Sequence, residues 1–383
     1  MGKIIQFNQI VNHLYIHIPF CQKKCKYCSF YSINYDKSTV CQYLNALKRE
    51  IAFYKKQLKL DLQTIYFGGG TPSLLDSVEI GTILGELDFH AETEITLEAN
   101  PNTLNKEKLQ AYKDVGINRL SIGVQSFNDR ILNYLGRTHD AIRALNVVDL
   151  AEDIGFENYS IDLIYGIPNQ TKEDFLADIK KTISNKIPHI SFYCLSLEED
   201  VPLYSEVNKL PDDELICQQY YSAQNMLKES GYKQYEVSNF AKIGFSAQHN
   251  LAYWSGKTYL AVGPSAAGYL MHENSTDYLR YCNSPDLDSY LKTWSIDADF
   301  TLAEYELIDK KEQESEYIIT RFRLNSGINL REYERLFDGS FLELYKKQID
   351  RLTQLDLVAI DRESVIIKSD KLLLMNEILL EFI

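Results

Sequence analysis

From Leu14 to about Phe240, short runs of β-branched and aromatic residues alternate with amphipathic stretches. Repeated βα units around a parallel sheet give that pattern, because each buried strand needs a helix to cover it and return the chain. Residues 14–19, 64–68, 95–99, 119–125, 159–166 and 190–197 read as strands, with 232–240 as a further candidate. Between the first two, Leu44, Leu47, Ile51, Tyr54 and Leu58 recur at three- and four-residue steps, which places them on one helix face. Similar helical patterns cover 106–116, 141–155, 171–183 and 212–231, several closing on the Gly expected just past a helix end.

About six such units suit a complete or partial β/α barrel, although a doubly wound open sheet would give the same alternation. The polar and glycine clusters favour the barrel. HIPFC, GGGTPS, EANP, GVQS, IDLIYG and SLEED each sit at or just after a strand, and in a barrel those strand ends converge on one mouth. The expected fold is therefore α/β, a partial (β/α)6 TIM-like barrel spanning residues 1–240. After Phe240 the chain turns to Gly, Ser, Ala and aromatics without a period, and residues 241–300 read as an ordered connecting or capping loop region. From about Leu302 it is strongly helical, and helices around a small hairpin make residues 301–383 a winged-helix-like domain.

The 383 residues are enough for two or three folding units, and 45% hydrophobic with 25% charged residues is ordinary globular composition. Forty Lys and Arg against fifty-four Asp and Glu leave a net charge of −14, so there is no broad basic face for nucleic acid. The apolar runs are strand-length, far below the roughly 18 residues needed to cross a bilayer, and the start of the chain lacks a signal-peptide cleavage pattern. No membrane span and a cytoplasmic location are expected.

Of seven cysteines, Cys21, Cys25 and Cys28 fall within eight residues, while Cys41, Cys194, Cys217 and Cys282 are scattered. Clustered thiols in a reducing compartment are metal ligands rather than a disulfide scaffold, and the scattered four are expected as small buried hydrophobes. The CxxxCxxC spacing lets three thiolates enter one pocket, as iron–sulfur ligands do. A structural zinc site, the rival, would need a fourth ligand such as His17 or Cys41. At Gly68, Gly69 and Gly70, followed by Thr71 and Pro72, the backbone can approach a ligand with N–H and C=O groups unobstructed. A tight strand-to-helix turn is the plainer reading of that run, and it matches neither the phosphate loop nor the dinucleotide fingerprint.

Glu98, Gln125, Arg137 and Asp162 fall at or just beyond strands three to five. Buried carboxylates there need donors, from Arg137, from the backbone, or from a ligand's ammonium and hydroxyls. HNLAYW places His249 beside Tyr253 and Trp254, a set able to grip a flat apolar macrocycle and offer its iron an axial ligand, or simply to pack as an aromatic cluster.

Taken together, LYIHIPFCQKKCKYCSF, IYFGGGTPSLL, LEANPNTL, GINRLSIGVQSF, LGRTHD and SIDLIYGIPNQT resemble the radical S-adenosylmethionine superfamily, in its coproporphyrinogen III dehydrogenase-like branch. The resemblance implies a 4Fe-4S cluster on Cys21, Cys25 and Cys28, with S-adenosylmethionine chelating the open iron. It implies Tyr15 and Tyr27 beside cluster and adenine, Gly69, Gly70 and Thr71 at the methionine end, Glu98, Gln125, Arg137 and Asp162 completing the bed, and His17 against the cluster. The dehydrogenase carries a further cysteine two positions after the third, where this chain has Phe30. HNLAYW instead matches the HNxxYW signature of the branch's heme chaperones, and the length, without a long N-terminal arm, is similar to theirs. The implied function is heme binding, with a site including His249, and transfer to acceptor proteins, with respiratory membrane proteins among the candidates. Radical oxidation of coproporphyrinogen and a zinc-stapled binding module are the alternatives.

Overall fold

The computed structural model describes residues 9–272, 276–295 and 304–383. The first eight residues and the expected boundary at 300/301 lie outside the described residues. Six strands, β1 (Ile10–Ile18), β2 (Lys59–Gly69), β3 (Phe89–Ala99), β4 (Arg119–Gln125), β5 (Asn158–Tyr165) and β6 (His189–Cys194), stand parallel and in chain order in one sheet. A doubly wound sheet reverses its strand order at a switch point. This one does not, so it is the wall of a β/α barrel. Strands β7 (Lys233–Glu236) and β8 (Asn239–Ala241) finish one edge in antiparallel fashion, and β9 (Leu260–Val262) pairs parallel with β1 at the other. Among the described residues the two edges do not pair with each other, which leaves the barrel partial.

Along each strand the residues alternate. Leu14, Ile16 and Ile18, Ile65 and Phe67, Ile95 and Leu97, Leu120 and Ile122, Ile161 and Leu163, and Ile190 and Phe192 all join the main hydrophobic core. That face packs under α1 (Lys37–Lys55), α2 (Ser77–Leu84), α3 (Lys106–Asp114), α5 (Ala141–Ile154), α6 (Lys172–Ser184) and α7 (Asp213–Glu229), with the short α4 (Asp129–Leu135) before α5. Each fully buried side chain there stabilises the fold by about 1.5–3 kcal/mol. The intervening positions are polar and line the lumen: His13, Tyr15, His17, Thr64, Tyr66, Thr96, Glu98, Arg119, Ser121, Ser160, Asp162, His189 and Ser191. Helix starts are fixed by side-chain caps, with capping boxes at Asp76–Glu79 and Thr171–Asp174 and single caps from Asp36 and Asp140.

The stretch after Phe240, expected as a loop region, is largely regular: α8 (Gln248–Trp254), β9, and a three-stranded antiparallel sheet of β10 (Ala267–Met271), β11 (Tyr278–Cys282) and β12 (Glu304–Ile308). Strands of three to five residues and a seven-residue helix are too short to show a period. The clasp that holds this region to the barrel is Glu50 of α1, fully buried. It accepts hydrogen bonds from Gly263 N at 2.8 Å, Asn283 Nδ2 at 2.6 Å and the Tyr290 hydroxyl of α9 (Leu287–Thr293) at 2.5 Å. Burial still lifts its carboxyl to about 7.

The last unit has its own core of Ile318, Phe322, Tyr333, Phe341, Ile349, Val365 and Ile378. It comprises α10 (Lys310–Arg323), β13 (Ile328–Asn329), α11 (Leu330–Phe337), α12 (Phe341–Leu344), α13 (Lys346–Gln354), the hairpin β14 (Val358–Ile360) and β15 (Ser364–Ile367), and α14 (Met375–Leu379). Strand order β13-β15-β14 beside the helices is the winged-helix-like arrangement expected. Arg321 Nη1 bonds the Trp254 carbonyl at 2.7 Å and the Arg323 guanidinium lies over the Trp254 ring, tying α10 to α8. Among the described residues no helix is long and apolar enough to cross a membrane.

Candidate functional site

The loop after β1 carries Cys21, Cys25 and Cys28, all half-buried free thiols. Burial, and the charges of Cys25 and Cys21 beside it, push the Cys28 thiol up. The three are thus electrostatic neighbours, yet among the described residues no three His, Cys, Asp or Glu side chains gather tightly enough for one metal ion. Three neighbouring thiols from one loop suit a cluster, where each would meet a different iron. Polar groups from the barrel mouth close on them: the Thr71 hydroxyl is 3.4 Å from Cys21 Sγ, and Arg137 Nη1 donates to Cys25 Sγ at 3.3 Å. Nη2 of Arg137 is anchored on the Gly123 carbonyl at 2.7 Å, while its buried Nε has no partner. Burial opposes the Arg137 charge, but Tyr27 and Cys25 outweigh it and hold the guanidinium firmly protonated.

The four scattered cysteines correct an expectation. Cys41 and Cys194 are exposed, and Cys217 and Cys282 are half-buried. None is fully buried: Cys41 and Cys217 lie on α1 and α7, and Cys194 and Cys282 end β6 and β11.

The glycine run behaves differently from its simplest reading. Its amides are already used: Gly69 N donates to Glu98 Oε2 at 3.1 Å, Gly70 N to Ile18 O and Thr71 N to Phe20 O, both at 2.8 Å. Side chains are excluded because β1 lies too close. A Cβ at Gly70 would stand 2.7 Å from the Phe20 carbonyl oxygen, and one at Gly69, where φ is +110°, 2.7 Å from the His17 ring. The turn therefore seats the cysteine loop on β2, with its N–H groups already engaged by the protein.

Glu98 accepts from the Tyr66 hydroxyl at 2.8 Å as well as from Gly69 N. Burial, partly offset by these donors, lifts its carboxyl to about 7. Asp162 accepts from Ser121 Oγ at 3.2 Å and is lifted by burial to about 6. Gln125 follows a register shift in β4 and has φ of +68°, a left-handed strain that a non-glycine residue adopts only where the surroundings impose it. The Tyr15 hydroxyl is 3.1 Å from His17 Nδ1, and His17 Nε2 is 3.0 Å from the Tyr31 carbonyl. Burial raises the phenols of Tyr15 and Tyr27 far above their usual range. The mouth thus brings together every predicted residue except one.

That one is His249. It lies with Thr64 and His13 toward the other end of the strands, 1% exposed. Nδ1 is 2.7 Å from Thr64 Oγ1, Nε2 is 2.9 Å from the Tyr253 hydroxyl, and the ring stacks on Tyr66 at 5.0 Å. Glu94 accepts from the backbone N–H groups of Gln248 and His249 and so caps α8. Burial first, then the neighbouring His13 and Arg119, depress His249 to about 3, so the imidazole is neutral. Tyr66 joins the two ends, with its ring on His249 and its hydroxyl on Glu98.

A radical SAM superfamily model matches residues 15–182, and a HemN C-terminal domain model matches residues 308–368. The structure of coproporphyrinogen III oxidase (HemN) from Escherichia coli superposes with a TM-score of 0.82 over 100% of this chain and 91% of that one, at 23% identity. Fold and site together define a radical SAM protein of the HemN architecture. The chain is 36% identical over 377 residues to the heme chaperone HemW of Haemophilus influenzae, covering 96% of each. It is 34% identical to HemW of Lactococcus lactis, covering 92% of each. The chain belongs to the HemW family.

Proposed function

We propose that this chain is a heme chaperone, which binds heme and passes it to acceptor proteins, on a barrel whose mouth carries a 4Fe-4S cluster and S-adenosylmethionine. The likeness to a heme chaperone over 96% of both chains carries this reading. Phe30, standing where the dehydrogenase resembled above has a fourth cysteine, weighs against the alternative of coproporphyrinogen oxidation.

Cys21, Cys25 and Cys28 would hold the cluster, which when bound supplies an open iron vertex for the amino and carboxylate groups of S-adenosylmethionine. Arg137, always charged and fixed by Gly123, would balance the thiolates and the carboxylate. The carbonyls of Gly69 and Gly70, with Thr71, would take the ammonium. Glu98, Gln125 and Asp162 would receive the ribose and amino groups, with Tyr15 and Tyr27 flanking cluster and adenine.

Heme would use His249. Its neutral ring is in the right protonation state for iron, but to reach iron it has to leave Thr64 or Tyr253, so loading is coupled to opening of α8. The acceptors proposed are heme proteins, respiratory membrane proteins among them, met from the cytoplasm. Anaerobic reconstitution followed by heme titration and mixing with an apo-acceptor tests the proposal: loss of heme from this chain with matching gain by the acceptor supports it, and failure to bind heme removes it.

A further inference from the structure

The floor of the barrel holds an arginine that forms no ion pair among the described residues, although the Asp162 carboxylate lies within reach of its charge. Arg119 leaves the first position of β4 and is 2% exposed. The arginines that form ion pairs among the described residues are Arg130, Arg280, Arg321 and Arg351, and Arg119 is not one of them. Its buried Nε has no hydrogen-bond partner. A guanidinium cannot discharge itself by losing a proton, and buried charges are ordinarily paired.

Three other buried atoms in the same layers are also without partners: Thr96 Oγ1, Asn158 Oδ1 and His189 Nδ1. Thr96 and Asn158 are the direct cross-strand neighbours of Arg119 on β3 and β5, so the three side chains leave the same face of the sheet. His189 stands beside Ser160, two positions along from Asn158. Burial, then the charge of Arg119, keeps its ring neutral. The partner of His189 Nε2 is the Tyr235 hydroxyl at 2.8 Å. The Tyr235 oxygen also accepts from Ala247 N at 3.4 Å, and the site proposed below takes the tautomer in which the Tyr235 hydroxyl donates to Nε2 and the ring proton is on Nδ1.

The floor therefore presents three donors, Arg119 Nε, His189 Nδ1 and Thr96 Oγ1, against one acceptor, Asn158 Oδ1, around a fixed positive charge. The lumen carboxylates have their own partners: Asp162, which also feels the Arg119 charge, binds Ser121, Glu98 binds Tyr66 and Gly69, and Glu94 takes the N–H groups of Gln248 and His249. We propose that Arg119, His189 and Thr96 bind a small monovalent anion, chloride or a simple carboxylate such as formate. Each of these buried donors needs an acceptor, and one anion among them would supply it to a guanidinium that forms no ion pair. The site lies next to His249, whose basicity the Arg119 charge lowers, so occupancy also sets the potential beneath α8.

The test is a crystal of the full chain, grown without oxygen and soaked in bromide, with anomalous scattering collected at the bromine edge. The expected result is one ordered bromide within hydrogen-bond distance of Arg119 and His189; density for water alone on those atoms overturns the proposal. In solution, chloride and formate are titrated separately at constant ionic strength against gluconate. The thermal midpoint of the wild type rises with one or both, which identifies the occupant, and the rise is lost in Arg119→Met. An equal rise in both proteins, or none in either, counts against the site. Where Arg119→Met fails to fold, the bromide result on the wild type decides.

Discussion

The Tyr253 hydroxyl lies 2.9 Å from His249 Nε2, one helical turn along α8, and so occupies the ring nitrogen that a heme iron would take. A net hydrogen bond is worth about 1 kcal/mol. Tyr253→Phe frees that nitrogen, and heme affinity is expected to rise about fivefold. His249→Ala is expected to lower it about tenfold or more while leaving cluster iron unchanged. Absorbance titrations of the three proteins check this; identical curves would remove His249 from heme binding.

Replacing any of Cys21, Cys25 or Cys28 with Ser should reduce reconstituted iron from about four per chain to a small fraction of that. Cys41→Ser, at an exposed thiol, should keep the full content. Iron and sulfide analysis after anaerobic reconstitution reads both, and retention of four irons in Cys28→Ser would contradict the assignment.

Asp162 titrates at about 6 in the folded chain against a usual 3.8, because burial disfavours its charge. The folded state therefore holds the proton more tightly than the unfolded one. The stabilisation is complete below the unfolded value and is lost as pH rises through about 6, on the order of 3 kcal/mol. Asp162→Asn removes the titration, so its unfolding free energy relative to wild type should climb between pH 4 and 7. Parallel profiles from chemical denaturation at each pH would show that Asp162 is not held protonated.

Gly69→Ala should cost about 2 kcal/mol or more, since φ is +110° and the new methyl meets the His17 ring at 2.7 Å. Gly231→Ala, with φ of +83° but nothing within 4 Å, should cost about 1 kcal/mol. Equal losses in denaturation would mean that the His17 contact does not matter.

The barrel was legible because its strands alternate so regularly: Leu14, Ile16 and Ile18 face the helices while Tyr15 and His17 face the lumen, and each unit ends in a polar or glycine cluster. Cys21, Thr71, Glu98 and Gln125 were findable for that reason, lying at or just past strand ends, whereas Arg137 follows α4 and Asp162 sits inside β5, and only the family phrases pointed to those two. The same alternation contains Arg119, His189 and Thr64, but a polar residue inside a strand carries no sign of which lumen neighbour it meets. Glu50 was hidden too, since its partners Gly263, Asn283 and Tyr290 lie more than 200 residues away. In the glycine run, sequence could show freedom of approach but not that Glu98, Ile18 and Phe20 already take the amides.

The most direct test of the account is a heme titration of the anaerobically reconstituted chain, followed on the same sample by incubation with coproporphyrinogen III, S-adenosylmethionine and a reductant. The account predicts saturable heme binding at about one per chain, dependent on His249, with no protoporphyrinogen formed. Protoporphyrinogen accumulating together with 5′-deoxyadenosine, in a protein that fails to bind heme, would contradict it.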